Sequence, residues 1–241
     1  ACHATILAHG RTLCSLLGEE RMDEFSSEQK PFARKEDGGM QLLDVVKKYK
    51  PTILLGVTAV GGLFNEKLIR EMASNVERPI IFPLSNPTTK AECTAEQAFE
   101  WTEGRCIFAS GSPFDPVQLE GDDKTYYPSQ CNNMYVFPGL GLGATISGAK
   151  IVTDRMLYVA AKALAEFVPQ EELEAGKVFP TLANIRKVSH RIAVEVIREA
   201  MRDGLATKIS PKDAEDLDGF VWGKMYFPEY VPLVEKKEVT I

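Results

Sequence analysis

The residues best equipped for chemistry are three asparagines in two short stretches. Asn132 and Asn133 stand side by side in "QCNNMYVFPGLGLGATISGAK", and Asn86 interrupts "LSNPT". A carboxamide offers two donors and an acceptor, which suits the carboxylate or carboxamide of a bound ligand. The same side chain also builds turns by bonding its own backbone, so each asparagine is equally a candidate turn former. Behind the asparagine pair, Gly139, Gly141 and Ala144 match the G-x-G-x-x-A pattern of a phosphate-cradling turn, and "MYVF" before them has the composition of a strand. Such a turn joins the first strand of its unit to a helix, with an acidic residue about twenty positions later. Here Pro138 directly precedes the first glycine, where it fits the first turn of a helix instead. The run then predicts a helix of small residues that other elements approach closely.

The elements that must position these residues follow an alternating rhythm. "QLLDVVKKY" has helical spacing of apolar residues and stops before Pro51. "TILLGV", "RPIIFPLSNP" and "RCIFASGSPF" are short apolar runs, expected as parallel strands buried on both faces. Between them, "NEKLIREMA" with Asn65 as N-cap and "TAEQAFEWT" with Thr94 as N-cap and Gln97 three positions on read as helices. Strand–loop–helix units in succession imply an α/β, doubly wound, mainly parallel Rossmann-like sheet over residues 32–150. Ligands of such sheets bind beyond the carboxyl ends of the strands. Those ends carry Gly56 to Gly62, Leu84 to Thr88 and Ala109 to Phe114, all small, polar or punctuated by glycine and proline. Residues 1–31 form a poorly patterned segment. Residues 151–241 read as a helical region, with Thr153 capping one helix, a long helix ending at Gly204, and an extended tail.

Composition narrows the classes. The 241 residues are 44% hydrophobic and 26% charged, with a net charge of -6. An acidic balance argues against sequence-independent nucleic-acid binding, which needs a basic face. No apolar run reaches the length of a membrane span, about 20 residues. Five cysteines without metal-site spacing suggest reduced thiols in an intracellular, soluble protein. His190, within "VSHRIAVEV", has no neighbour to complete a dyad and reads as structural.

Taken together, "KPTILLGVTAVGGLFNEKLIREMA", "ERPIIFPLSNPTTKAECTAEQAF", "GRCIFASGSPFDPV" and "NNMYVFPGLGLGA" closely resemble the carboxyl-terminal part of malic enzymes, from about Phe32 to "YFPEY". The resemblance implies oxidative decarboxylation of malate to pyruvate and carbon dioxide, with NAD or NADP and a divalent Mg or Mn ion. It implies that Asn86, Asn132 and Asn133 contact the substrate and that Val57, Thr58, Ala59, Ser85, Asn86 and Asn133 line the cofactor. The catalytic tyrosine and lysine, the acidic metal ligands and the pyrophosphate turn of the family lie upstream of these motifs, so no catalytic or metal residue is expected in this chain. The isolated chain is accordingly expected to be inactive, and the complete enzyme to be a homo-oligomer in the cytoplasm, a mitochondrion or a plastid. Coenzyme choice turns on Gln29, which leans towards NAD, and on the adjacent Lys30, which would favour NADP. Cys131 stands where the family usually has a glycine. The alternatives are a truncated, non-catalytic module that binds nucleotide or associates with complete subunits, and a structural paralogue with an empty edge.

Overall fold

The computed structural model describes residues 19–27, 30, 33, 35, 39–227 and 230. Most of the segment 1–31, Gln29 included, and the end of the tail therefore lie outside the described residues. The chain divides into two compact units, Ala1–Met134 with Leu164–Asn184, and Tyr135–Ala163 with Ile185–Ile241.

The first unit is a Rossmann-like α/β layer. Helix α1 (Leu42–Tyr49) leads into β1 (Ile53–Gly56), α2 (Glu66–Asn75), β2 (Ile80–Pro83), α3 (Ala95–Trp101) and β3 (Ile107–Ser110). The strands pair in parallel with Ile53 opposite Ile80 and Ile80 opposite Ile107. The third connection departs from the expected helix. It is an antiparallel hairpin of β4 (Val117–Gln118) and β5 (Thr125–Tyr126), after which β6 (Ser129–Gln130) joins β3 in parallel, giving the order β1-β2-β3-β6.

Local chemistry explains the helix starts. Asn65 accepts a hydrogen bond from the Leu68 amide at 3.1 Å, and Thr94 and Gln97 exchange bonds of 3.2 and 3.0 Å in a capping box. The strands differ from expectation in their burial. Leu54, Ile81 and Phe108 are buried with Leu68, Ile69, Met72, Ala98 and Phe99 of α2 and α3. Their neighbours Ile53, Leu55, Ile80, Phe82 and Ile107 are only half-buried. Alternate side chains of a strand point to opposite faces, and the layer of α1, α2 and α3 seals one of them.

The second unit is helical: α4 (Phe137–Ser147) and the start of α5 (Asp154–Glu166), then, beyond the short α6 (Gln170–Glu174) of the first unit, α7 (Ile185–Arg202), α8 (Pro211–Glu215) and α9 (Leu217–Lys224). Thr153 caps α5, its hydroxyl accepting from the Met156 amide at 3.2 Å. The glycine-rich run is the body of α4, with proline in its first turn, and "MYVF" is no strand: residues Asn133–Tyr135 form a 3-10 turn. A Cβ on Gly139 would lie 2.5 Å from the Ser189 carbonyl oxygen, and one on Gly143 would lie 2.9 Å from that of Ala193. Gly139 and Gly143, four residues apart, thus let α7 approach the α4 backbone, as the close-packing expectation required. Gly141, on another face, meets nothing within 4 Å. Glu199 on α7 is buried and is held by Arg155 of α5 at 3.2 Å and by Arg202 at 2.6 Å. His190 packs edge-on against Trp222, with ring centroids 4.9 Å apart, and its Nε2 lies 2.9 Å from the Asp218 carbonyl oxygen.

Candidate functional site

The carboxyl ends of β1, β2, β3 and β6 form one edge of the first unit, and every site residue expected from the sequence lies there. At β1 the chain leaves Gly56 with Val57 half exposed (50%), Thr58 buried (3%) and Ala59 at a φ of 56°. A residue with a Cβ pays for that left-handed conformation and keeps it only where neighbours over-determine it. At β2, the Leu84 amide donates to the Gly56 carbonyl oxygen at 2.7 Å and draws the next loop alongside. Ser85 is buried, Asn86 is exposed, and the Asn86–Pro87 peptide bond is cis.

The two loops meet on Glu92, which is fully buried (0%). Its Oε1 accepts from the Thr58 amide at 2.9 Å, the Thr58 hydroxyl at 2.7 Å and the Ser85 hydroxyl at 2.5 Å. Its Oε2 lies 3.4 Å from the Ser85 amide nitrogen. Ser85 Oγ in turn accepts from the Ala59 amide at 2.8 Å. The carboxylate fits because residue 56 is glycine: a Cβ there would come 2.5 Å from Glu92 Cδ. Sequence reasoning passed over Glu92 altogether. Its one visible signal is an acidic residue between the small apolar Ala91 and Cys93, just ahead of the α3 cap.

The β3 loop serves Asn86. Ser112 Oγ donates to Asn86 Oδ1 at 2.6 Å, while Asn86 Nδ2 lies 3.4 Å from the Leu84 carbonyl oxygen. With its oxygen engaged, the amide has an N–H left to offer a ligand. At β6 the Cys131 amide donates to the Ser110 carbonyl oxygen at 2.8 Å. Asn132 Oδ1 accepts from the Met134 amide at 3.0 Å, the turn-forming use of an asparagine. Asn133 is exposed at the start of the 3-10 turn. Thr58, Ala59 and Ser85 are thus tied into one network through Glu92. Asn86 is held separately by Ser112 and the Leu84 carbonyl, and among the described residues no hydrogen bond joins Asn132 or Asn133 to either. The non-glycine residues at positive φ among those described are Lys50, Ala59 and Glu103, so the backbone at Cys131 does not need the family's glycine. Burial pushes the Cys131 thiol up from its ordinary pKa.

A parallel α/β layer with a polar, backbone-rich carboxyl edge is the architecture of a dinucleotide-binding domain. The family model for the malic enzyme NAD-binding domain matches residues 14–201, reaching further upstream than the motifs that begin near Phe32. The chain belongs to the malic enzyme family. It is 51% identical over 218 residues to an NADP-dependent malic enzyme of Dictyostelium discoideum, covering 89% of this chain and 39% of that one. A Vitis vinifera NADP-dependent malic enzyme is 47% identical, with 89% of this chain and 36% of the relative covered. The malic enzyme crystal structure from Pyrococcus horikoshii aligns over 84% of this chain and 42% of its own, with a TM-score of 0.56 and 25% identity. The chain therefore spans about two-fifths of the length of these relatives.

The residues present fit a nicotinamide dinucleotide: the remaining side-chain N–H of Asn86 and the exposed apolar Val57 and Val60 suit a carboxamide on a flat ring. The fit does not extend to a divalent metal, because among the described residues no group of three or more His, Cys, Asp or Glu side chains could hold one. Among the described residues no helix is long and apolar enough to cross a membrane.

Proposed function

We propose that this chain is the nicotinamide-side part of a malic enzyme, which oxidises and decarboxylates malate to pyruvate and carbon dioxide with NAD or NADP. The observation that supports it best is Asn86, exposed at the sheet edge with its oxygen engaged by Ser112 and an N–H free for a carboxylate or carboxamide. Val57, Thr58 and Ala59 would run along the dinucleotide, with Ser85 holding their loop and Asn133 beside the nicotinamide carboxamide. Asn86, Asn132 and Asn133 would orient malate so that its C2 hydrogen faces the ring. When bound, the nicotinamide supplies the hydride acceptor. The names of the relatives favour NADP, and Lys30, which is exposed, is the residue proposed to meet its 2′-phosphate. The complete enzyme is proposed to be a homo-oligomer.

Titration of the purified chain with NADP and NAD, followed by calorimetry, tests the proposal. Saturable binding of either supports it, and binding of neither overturns it. A second reading is dinucleotide binding without turnover. Malate-dependent NADPH formation by the chain alone, with Mn present, would exclude that second reading.

A further inference from the structure

We propose that Glu92 is a positioning residue, a buried strut that sets the spacing of the 57–60 and 84–86 loops and so the shape of the dinucleotide edge. The proposal rests on the proposed function for its ligand and on the hydrogen-bond network for its mechanism. Side chains of this type are almost never fully buried unless their oxygens are satisfied. Glu92 meets that condition with donors drawn from two separate loops, 34 and 7 residues away in sequence. It touches no residue proposed to contact substrate except through Thr58 and Ser85, so its influence on a ligand is indirect.

The network has a direction. Ser85 Oγ accepts from the Ala59 amide, so its hydroxyl proton goes to Glu92 Oε1. Ala59 is thereby linked to the carboxylate through one hydroxyl, and Ala59 is the residue held at positive φ. The Thr58 amide and hydroxyl reach the same oxygen directly, and Thr58 Oγ1 also accepts from the Val60 amide at 3.2 Å. Three consecutive amides, those of Thr58, Ala59 and Val60, thus depend on Glu92 directly or through one hydroxyl. Removing the acceptor frees the loop to leave the conformation in which it faces a ligand. Position 92 also tolerates no cheap substitute. Aspartate is one methylene shorter and could not reach both loops. Glutamine can keep Oε1 and its three donors but places an NH2 group towards the Ser85 amide.

The experiment uses the 241-residue chain, with residue-resolved amide exchange and NADP titration on the parent, Glu92→Gln, Glu92→Ala and Ser85→Ala. Glu92→Ala is expected to speed exchange at Thr58 and Ala59, and to weaken NADP binding, by about tenfold or more, the effect of losing a hydrogen bond to a charged group. Glu92→Gln should fall between Glu92→Ala and the parent. Ser85→Ala should free the Ala59 amide while Thr58 stays protected, and it keeps the test alive if Glu92→Ala fails to fold. Exchange that rises equally at Leu54 and Ile81 would mean a merely structural residue and overturn the proposal. So would unchanged NADP affinity in variants of a parent that binds. A parent that binds neither dinucleotide overturns the proposed function itself, and that failure is visible without any variant.

Discussion

Adding one methyl group at each glycine of α4 should have opposite effects on stability according to the face it occupies. A glycine within a helix costs about 0.5–1 kcal/mol relative to alanine, through lost backbone entropy. At Gly141 a Cβ meets nothing within 4 Å, so Gly141→Ala should recover most of that gain. At Gly139 the new Cβ would stand 2.5 Å from the Ser189 carbonyl oxygen and 2.7 Å from Ile192 Cβ, where ordinary contact begins at 3.4 Å. Both atoms belong to the framework of α7 and have no rotamer through which to retreat. The helices must part by nearly 1 Å, and overpacking of this kind costs about 1–3 kcal/mol. Gly139 lies in the first turn of α4, where the compensating gain in propensity is small, so the net loss is about 1–2 kcal/mol. Gly143 is intermediate, with its nearest atoms at 2.9 Å. A chain of this length shifts its melting temperature by about 2–4 °C per kcal/mol, so Gly141→Ala and Gly139→Ala should melt roughly 5–10 °C apart. Urea denaturation of the three variants gives the free energies directly. Equal stability of Gly139→Ala and Gly141→Ala would refute the close approach of α7 to α4.

Two further outcomes follow from titratable groups. The Tyr126 hydroxyl donates to Asp122 Oδ2 at 2.7 Å, which holds the Asp122 carboxyl below its ordinary range and pushes the Tyr126 phenol up to about 12. A depressed acid stabilises the fold above its unfolded pKa, near 4, and loses that contribution as pH falls through the folded value. A raised phenol stabilises the fold below about pH 10 and loses that contribution as pH rises through about 12. Asp122→Ala, which removes the acceptor, should therefore bring the Tyr126 midpoint back towards 10, as read by ultraviolet titration. A midpoint left near 12 would show that the hydrogen bond is not its main cause. Among the thiols, burial pushes Cys106 up to about 11 against an opposing Thr102 hydrogen bond, and raises Cys93 still further. Iodoacetamide at neutral pH should label the half-buried Cys131 before either, since the thiolate is the nucleophile, and peptide mass spectrometry reads the order. Cys93 or Cys106 labelled first would contradict their burial.

What the sequence made legible is what neighbouring residues decide among themselves. The caps at Asn65, Thr94 and Thr153 are each a bond to the amide three positions on, and all three stand where the residue types placed them. The first three strands are apolar runs bounded by glycine and proline, so they too announce themselves. The hairpin β4–β5 and strand β6 are only two residues long each, and they exist through partners elsewhere in the chain, such as Ala109 opposite Ser129. No local pattern carries that information. "MYVF" shows the converse, since its β-prone residues are drawn into the turn that starts α4. The G-x-G-x-x-A match hid the spacing that matters for packing, because Gly143 lies outside that pattern and shares a face with Gly139 rather than Gly141.

The candidate site divides along the same line, between what a motif displays and what holds it in place. Asn86 draws notice by its residue type, and Thr58 and Ser85 by the resemblance of their motifs to malic enzymes. Their supports are Glu92 and Ser112, and neither has a distinctive sequence context. A buried carboxylate is recognisable only by its donors, and those of Glu92 come from two other loops. Ser112 matters because its hydroxyl meets Asn86 Oδ1 at 2.6 Å, across 26 residues of chain. Asn86 could present either end of its amide to a ligand, and which end it presents is decided by that serine. On the proposed function, ligand chemistry at this edge is written partly in residues that need never touch a ligand. A substitution at position 92 or 112 should alter binding while every residue named by the motifs stays unchanged.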